Sequence, residues 1–291
     1  MPDPSPSEPN FRECRWTSSD GLSLYYRDYP GSADRPPLLC LHGLTRNSRD
    51  FAQIADRYAG EFRVITLDFR GRGQSDRDPT SANYVPNVYA NDVLGLLNSL
   101  GIEKAIFFGT SLGGLVTMIV AALEDARIAG SILNDIGPDI DPEGLRRIGS
   151  YVGTNIRFRD WDEAAVHVAA LGGGLPARFS HADWVRIARQ VCREEDGEVV
   201  LDYDRGIADA FKVEPSDPPF DMWPLFRGLA AKPVLVLRGE LSDLLTADTA
   251  KQMAAAGTDV EAVSVPGVGH APWLDEPEVT DALDRFLRRW T

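Results

Sequence analysis

With 291 residues, 43% of them hydrophobic, the chain is long enough to bury a substantial core as one α/β domain or two smaller units. A formal net charge of −14 argues against nucleic-acid and anionic-membrane partners, because phosphates and acidic headgroups are repelled over most of such a surface; a small neutral or apolar substrate suits it better. The opening MPDPSPSEPN has neither a basic nor an apolar targeting region, and no stretch approaches the roughly 20 apolar residues of a membrane span, so a cytoplasmic location is expected.

In chain order, residues 1–10 are rich in Pro and Ser and read as a disordered lead-in. RECRWTS and LSLYYRDY then alternate polar and apolar residues and are joined by Asp20-Gly21, which predicts an antiparallel edge hairpin. Short apolar runs bounded by turn residues follow: LLCLHG (Leu38 to Gly43), RVITLDF (Arg63 to Phe69), KAIFFG (Lys104 to Gly109), AGSILND (Ala129 to Asp135), PVLVLRG (Pro233 to Gly239) and EAVSVPG (Glu261 to Gly267). Runs of this kind are strands buried on both faces of a parallel sheet. Helical spacing separates most of them, at Phe51 to Tyr58, Val88 to Leu100, Ser111 to Leu123, Ala247 to Ala256 and Pro277 to Trp290. The pattern predicts a doubly wound, mostly parallel sheet with right-handed crossovers, formed by residues 11–137 and 228–291. Residues 138–227 break the rhythm with helical stretches, Gly172-Gly173-Gly174 and many aromatics, and form an insertion. Its acidic residues outnumber its basic ones, so it is no anion-binding lobe.

The chemistry concentrates in Gly109-Thr110-Ser111-Leu112-Gly113, which directly follows an apolar strand and opens a helical run. A serine there sits on a sharp strand-to-helix turn that only small neighbours permit, and the helix N-terminus aims unpaired N–H groups at the same spot. Ser111 is the predicted nucleophile. His42-Gly43 ends the preceding βα unit at the same sheet edge, which makes the N–H groups of Leu44 and Leu112 the candidate oxyanion hole. Among the histidines, His167 and His181 lie in the insertion and His42 is locked at a strand end, whereas His270, in the glycine-rich VPGVGHAPW, can hang over the edge as general base. The acid must follow another strand at that edge. Asp243, after PVLVLRG, fits the order serine, acid, histidine; Glu240 and Asp135 are the alternatives. Cys14, Cys40 and Cys192 are scattered, with no CxxC and no neighbouring histidine, so neither a disulfide framework nor a metal site is indicated. Cys40 is the alternative nucleophile, though a strand interior is where an inert thiol packs.

The set LHG, LDFRGRGQSD (Leu67 to Asp76), GTSLGG, GELSD and VGHAPW closely resembles the α/β-hydrolase superfamily over nearly the whole chain outside the insertion. The resemblance implies an eight-stranded sheet, a helical cap from Pro138 to Arg227 over the active site, and a structural rather than catalytic role for Asp68-Phe69-Arg70-Gly71-Arg72-Gly73. Relatives with an aspartate nucleophile, the haloalkane dehalogenases and epoxide hydrolases, are set aside by Ser111. Proline iminopeptidases are disfavoured by Gly109-Thr110 and Leu112. The expected activity is hydrolysis of a small apolar or neutral ester or lactone through an acyl-enzyme, with no metal or organic cofactor. Other readings of the same residues are carbon–carbon hydrolysis of a vinylogous diketone, perhydrolysis, and a non-catalytic receptor for a small ligand. Trp161, Trp223 and Trp273 are the expected substrate contacts, as apolar walls of a pocket.

Overall fold

A computed structural model describes residues 10–171, 179–212 and 220–291. The expected lead-in, except Asn10, and the Gly172-Gly173-Gly174 run lie outside the described residues.

The edge hairpin is β1 (Arg12–Thr17) and β2 (Ser23–Tyr29), and the buried run LLCL is β3 (Leu38–Leu41). In chain order then come α1 (Ala52–Tyr58), β4 (Val64–Leu67), α2 (Pro86–Ser99), β5 (Ala105–Thr110), α3 (Leu112–Glu124) and β6 (Ile128–Asn134). Past the insertion, which holds α4 to α7 and β7 to β9, lie β10 (Val234–Gly239), α8 (Ala247–Ala255), β11 (Val260–Val265) and α9 (Pro277–Leu287). One eight-stranded sheet has the order β1-β2-β4-β3-β5-β6-β10-β11, parallel from β4 to β11, with β1 and β2 antiparallel at one edge.

The apolar runs of β3, β4, β5, β6 and β10 are covered on both faces, whereas β11, expected to be buried in the same way, lies at the sheet edge with only Val265 fully buried; the period of two sorts the buried residues. Leu39, Leu41, Ile65, Phe107 and Val236 face the side packed by α2, α3 and α8, while Leu38, Cys40, Val64, Phe108 and Leu237 face α1 and α9.

The insertion holds α4 (Pro142–Tyr151), β7 (Arg157–Phe158), α5 (Trp161–Leu171), α6 (His181–Val191), β8 (Cys192–Glu195), β9 (Glu198–Leu201) and α7 (Trp223–Leu229). Expected to be helical, it also carries an antiparallel sheet of order β7-β9-β8. Its hairpin turns on Asp196-Gly197, both at positive φ (54° and 82°), a local signal masked by the charges of CREE. The expected boundary at 227 runs through α7, whose Phe226 and Leu229 are buried in the same cluster as Val116 and Met118 of α3. Among the described residues no helix is long and apolar enough to cross a membrane.

The DFRGRG stretch forms the turn after β4. Arg70, almost wholly buried, places its guanidinium against Asp92 (2.6 and 2.7 Å), Asp78 (2.6 Å) and Asp20 (2.7 Å). These carboxylates keep the guanidinium charged, against the opposing effect of burial. Removing this cation strands Asp78 and Asp92 in the interior, so Arg70→Met is expected to lose about 3–5 kcal/mol. Arg57→Ala, which breaks a solvent-exposed pair with Asp284, should lose less than about 1 kcal/mol. Urea unfolding of both variants beside the parent chain measures the contrast.

Candidate active site

The turn from β5 into α3 holds Ser111 at φ 50° and ψ −114°, a backbone state that costs a non-glycine residue about 1–3 kcal/mol. Three hydrogen bonds maintain it: the Ser111 N–H donates to the Asn134 carbonyl (2.9 Å), and the N–H groups of Gly114 and Leu115 donate to the Ser111 carbonyl. The flanking glycines are required by contact. A Cβ on Gly109 would overlap the Gly113 and Gly114 backbone, and one on Gly113 would overlap the Leu41 carbonyl.

His270 follows β11 and reaches Ser111, with Nε2 3.0 Å from the serine Oγ. Its Nδ1 lies 2.7 Å from Oδ2 of Asp135, the residue that directly follows β6. A carboxylate there only accepts, so Nδ1 carries the proton and Nε2 is free to accept from the Ser111 hydroxyl. Asp135 is wholly buried, at φ 58°, a left-handed state that aspartate tolerates better than most residues. Its Oδ1 accepts from the Gly239 N–H (2.8 Å) and its Oδ2 also accepts from the Ser242 hydroxyl (2.5 Å).

The expectation for Asp243 is therefore corrected: Asp135, not Asp243, holds His270. In the turn after β10 the residue that reaches inward is Ser242. Asp243, one position later, pairs through both oxygens with Nε and Nη2 of Arg147 on α4 (Nη2 to Oδ1 2.9 Å), and the guanidinium holds its carboxyl below the usual range. Glu240 accepts from the Gly267 N–H at the surface.

Leu44 and Leu112 flank the serine, and neither N–H has a partner among the described residues. His42 has a role that its position in sequence did not reveal. It is fully buried; Nε2 accepts from the Phe69 N–H (3.0 Å) and Nδ1–H donates to the Gly43 carbonyl (2.7 Å). Gly43 C=O and Leu44 N–H belong to one planar trans peptide, so anchoring the carbonyl fixes the N–H on the opposite side. Desolvation lowers the His42 imidazole to about 3, which removes it as a base. Burial also raises the Cys40 thiol far above its ordinary value and pushes Cys192 up to about 12, so both stay protonated.

A cavity of about 450 Å³ opens on Ser111 and His270, walled by the β3 loop, α4, α5, α6 and the segment after His270. Trp273 lines it, edge-on to Phe179 (5.5 Å) and Trp184 (6.3 Å). Trp161 and Trp223 do not. The Trp161 indole N–H donates to Glu194 under the Arg189 guanidinium, and Trp223 packs edge-to-face with Phe226 against the core. Among the described residues no cluster of His, Cys, Asp or Glu has the makings of a metal site.

Residues 38–283 match the model of the "Alpha/beta hydrolase family". The 3-hydroxybutyrate-oligomer hydrolase of Cupriavidus necator is 34% identical over 95% of this chain and 96% of its own length. The 2-(acetamidomethylene)succinate hydrolase of Mesorhizobium japonicum is 30% identical, over 87% and 88%. A crystal structure of an alpha/beta hydrolase from Novosphingobium aromaticivorans superposes with a TM-score of 0.91 at 46% identity, covering 96% of this chain and 99% of that one.

Two outcomes follow from this geometry. Covalent labelling by a fluorophosphonate should slow by about a thousandfold or more in Asp135→Asn, in which the imidazole is no longer held in the required tautomer, and far less in Asp243→Asn; second-order labelling rates decide, and the reverse ranking would restore Asp243. His42 gives a pH signature. Its folded pKa lies below the unfolded value near 6.5, so its contribution is complete above pH 6.5 and declines as pH falls toward about 3. On this account stability should drop by up to about 1.4 kcal/mol per pH unit in that window, because the unfolded chain takes up a proton that the folded one refuses. Urea midpoints of the parent and of His42→Gln from pH 7 to 4 test whether the slope belongs to this residue.

Proposed function

This chain belongs to the alpha/beta hydrolase family and is a hydrolase, and from that premise we propose that it cleaves small carboxylic esters or lactones through a Ser111 acyl-enzyme. The observation that carries the proposal is the continuous hydrogen-bonded chain Ser111–His270–Asp135 at the floor of a cavity, beside the open N–H groups of Leu44 and Leu112. His270 Nε2 takes the hydroxyl proton as Ser111 Oγ attacks the acyl carbonyl, and Asp135 stabilises the imidazolium that forms. The carbonyl oxygen, now negative, is received by the two backbone N–H groups, each contributing a few kcal/mol in the transition state. His270 returns the proton to the leaving alcohol, then activates a water that releases the acid and restores the serine. These roles are filled by this chain's own side chains and backbone, with α4, α5 and α6 of the insertion acting as a cap that walls the cavity. The relative named for hydrolysing 3-hydroxybutyrate oligomers supports an ester as the bond attacked.

A panel of p-nitrophenyl esters of rising acyl length, run beside simple lactones and a vinylogous diketone, tests the reading. Esters or lactones should be turned over, Ser111→Ala should abolish both turnover and fluorophosphonate labelling, and its melting temperature should stay near that of the parent. Turnover of the diketone alone would move the activity to carbon–carbon cleavage, and undiminished labelling of Ser111→Ala would mean a different nucleophile.

A further inference from the structure

The cavity contains one feature that hydrolysis of a neutral ester does not call for. Arg46, from the loop after β3, lines it beside the nucleophile: a Cβ on Gly43 would lie 3.4 Å from Arg46 Cγ and 3.9 Å from Ser111 Cβ, so the arginine stem and the serine flank the same glycine. Its head is held at two points. Nε donates to Asp50 Oδ2 (2.7 Å), and the guanidinium carbon sits 5.5 Å from the Trp273 ring centroid. Trp273 is itself anchored, its N–H donating to Glu276 (3.0 Å) and its carbonyl accepting from Gln53. With Nε taken, the Nη1/Nη2 edge remains, and neither nitrogen has a hydrogen-bond partner among the described residues. That edge is a planar fork whose spacing matches the two oxygens of a carboxylate.

The other charged lining residues are differently placed. Arg186 is exposed and pairs with Asp183 (3.4 Å), while Asp56 and Asp275 are exposed. Arg46 and Asp50, by contrast, are only a quarter and 15% exposed. Asp50 balances the cation without covering its outer edge. Over most of the surface a net charge of −14 repels anions, so any preference for them must come from a local contact of this kind.

We propose that Arg46 is a specificity-determining residue that grips a carboxylate on the substrate, so that the preferred substrates are small esters carrying a free carboxylate group. The inference rests on Ser111 being the acyl acceptor and adds the substrate class that site selects. Aromatic Trp273 walls the same place, so the region suits a chain with an apolar stem and a charged end.

The test compares matched esters that differ only in charge. One pair places the carboxylate in the leaving group, 4-acetoxybenzoate against methyl 4-acetoxybenzoate. The other places it in the acyl group, the mono-4-nitrophenyl ester of adipic acid against its methyl ester. In the parent chain the ratio of kcat/KM, charged over neutral, should favour the charged member of at least one pair, which also tells on which side of the scissile bond the carboxylate lies. Arg46→Gln should lower that ratio by about 10- to 100-fold, as expected for loss of a charge-assisted pair of hydrogen bonds, and Arg46→Lys, which keeps the charge but not the fork, should fall between. A ratio unmoved by both substitutions, or one favouring the neutral esters in the parent chain, overturns the proposal. A second measurement does not need turnover: hexanoate, but not hexanamide, should slow fluorophosphonate labelling of Ser111 in the parent chain and lose that protection in Arg46→Gln. Equal protection by both compounds counts against Arg46 while leaving the serine hydrolase reading intact. A parent chain that no fluorophosphonate labels defeats both.

Discussion

A carboxylate taken out of water has to be surrounded by donors, and at Asp135 that requirement organises the edge of the sheet that carries Ser111 and His270. The donors come from separate pieces of chain: the Gly239 N–H at the end of β10, the Ser242 hydroxyl in the turn that follows, and His270 after β11. β6 and β10 are parallel neighbours, and the Asp135 N–H continues their ladder onto the Leu237 carbonyl, so the carboxylate is delivered to the turn by sheet register. The Ser242 hydroxyl also accepts from the N–H groups of Leu244 and Leu245, which ties the acid to the approach to α8. One buried charge thereby fixes three loops relative to one another, and the histidine inherits its orientation from them.

That long-range closure explains what could and could not be read from the residues alone. The sheet was legible because β3, β4, β5, β6 and β10 are covered on both faces and need no polar alternation, leaving mostly apolar runs bounded by turn residues. Ser111 was legible because the demands on it are local: a positive φ, two crowded glycines and a helix start within five residues. The acid was not. Asp135, Glu240 and Asp243 all follow strands at one edge, and the choice among them turns on which side chain of the β10 turn is drawn inward. Asp243 is taken by Arg147, 96 residues away in the sequence, and no local pattern announces that partner.

The insertion was harder for a related reason. A count of aromatics says how much apolar surface is available and not which way it faces. Trp161 is satisfied by Glu194 and Arg189, and Trp223 by Phe226, so both complete the packing of their own layers, while Trp273, from the sheet edge, is the indole that meets the cavity. The hairpin of β8 and β9 escaped notice because half-exposed CREE lacks the apolar run that marked the central sheet, and EVVL is only four residues long.

The same logic gives the DFRGRG turn a purpose beyond shape. Asp68 accepts from the N–H groups of Ser48 (2.6 Å) and Gln74 (2.8 Å), and the Phe69 N–H donates to His42, so the loops after β3 and β4 are stitched together. Arg72 completes the link by donating from Nε to the Leu44 carbonyl (2.9 Å) and from Nη1 to the Arg70 carbonyl (2.7 Å) and the Tyr89 hydroxyl (2.9 Å). Its buried cation is met by carbonyl oxygens and by the faces of Tyr84 and Tyr89 rather than by a carboxylate, which suits a place where a second anion would oppose the oxyanion of the proposed acyl transfer. Both peptide bonds of Leu44 are therefore anchored from behind, the first through His42 and the second through Arg72. Donors that stabilise a developing charge are effective to the extent that they need not reorganise when it appears. In this chain that rigidity comes from the turn after β4, so the conformation of the Leu44 peptide is settled on folding, before any substrate enters the cavity.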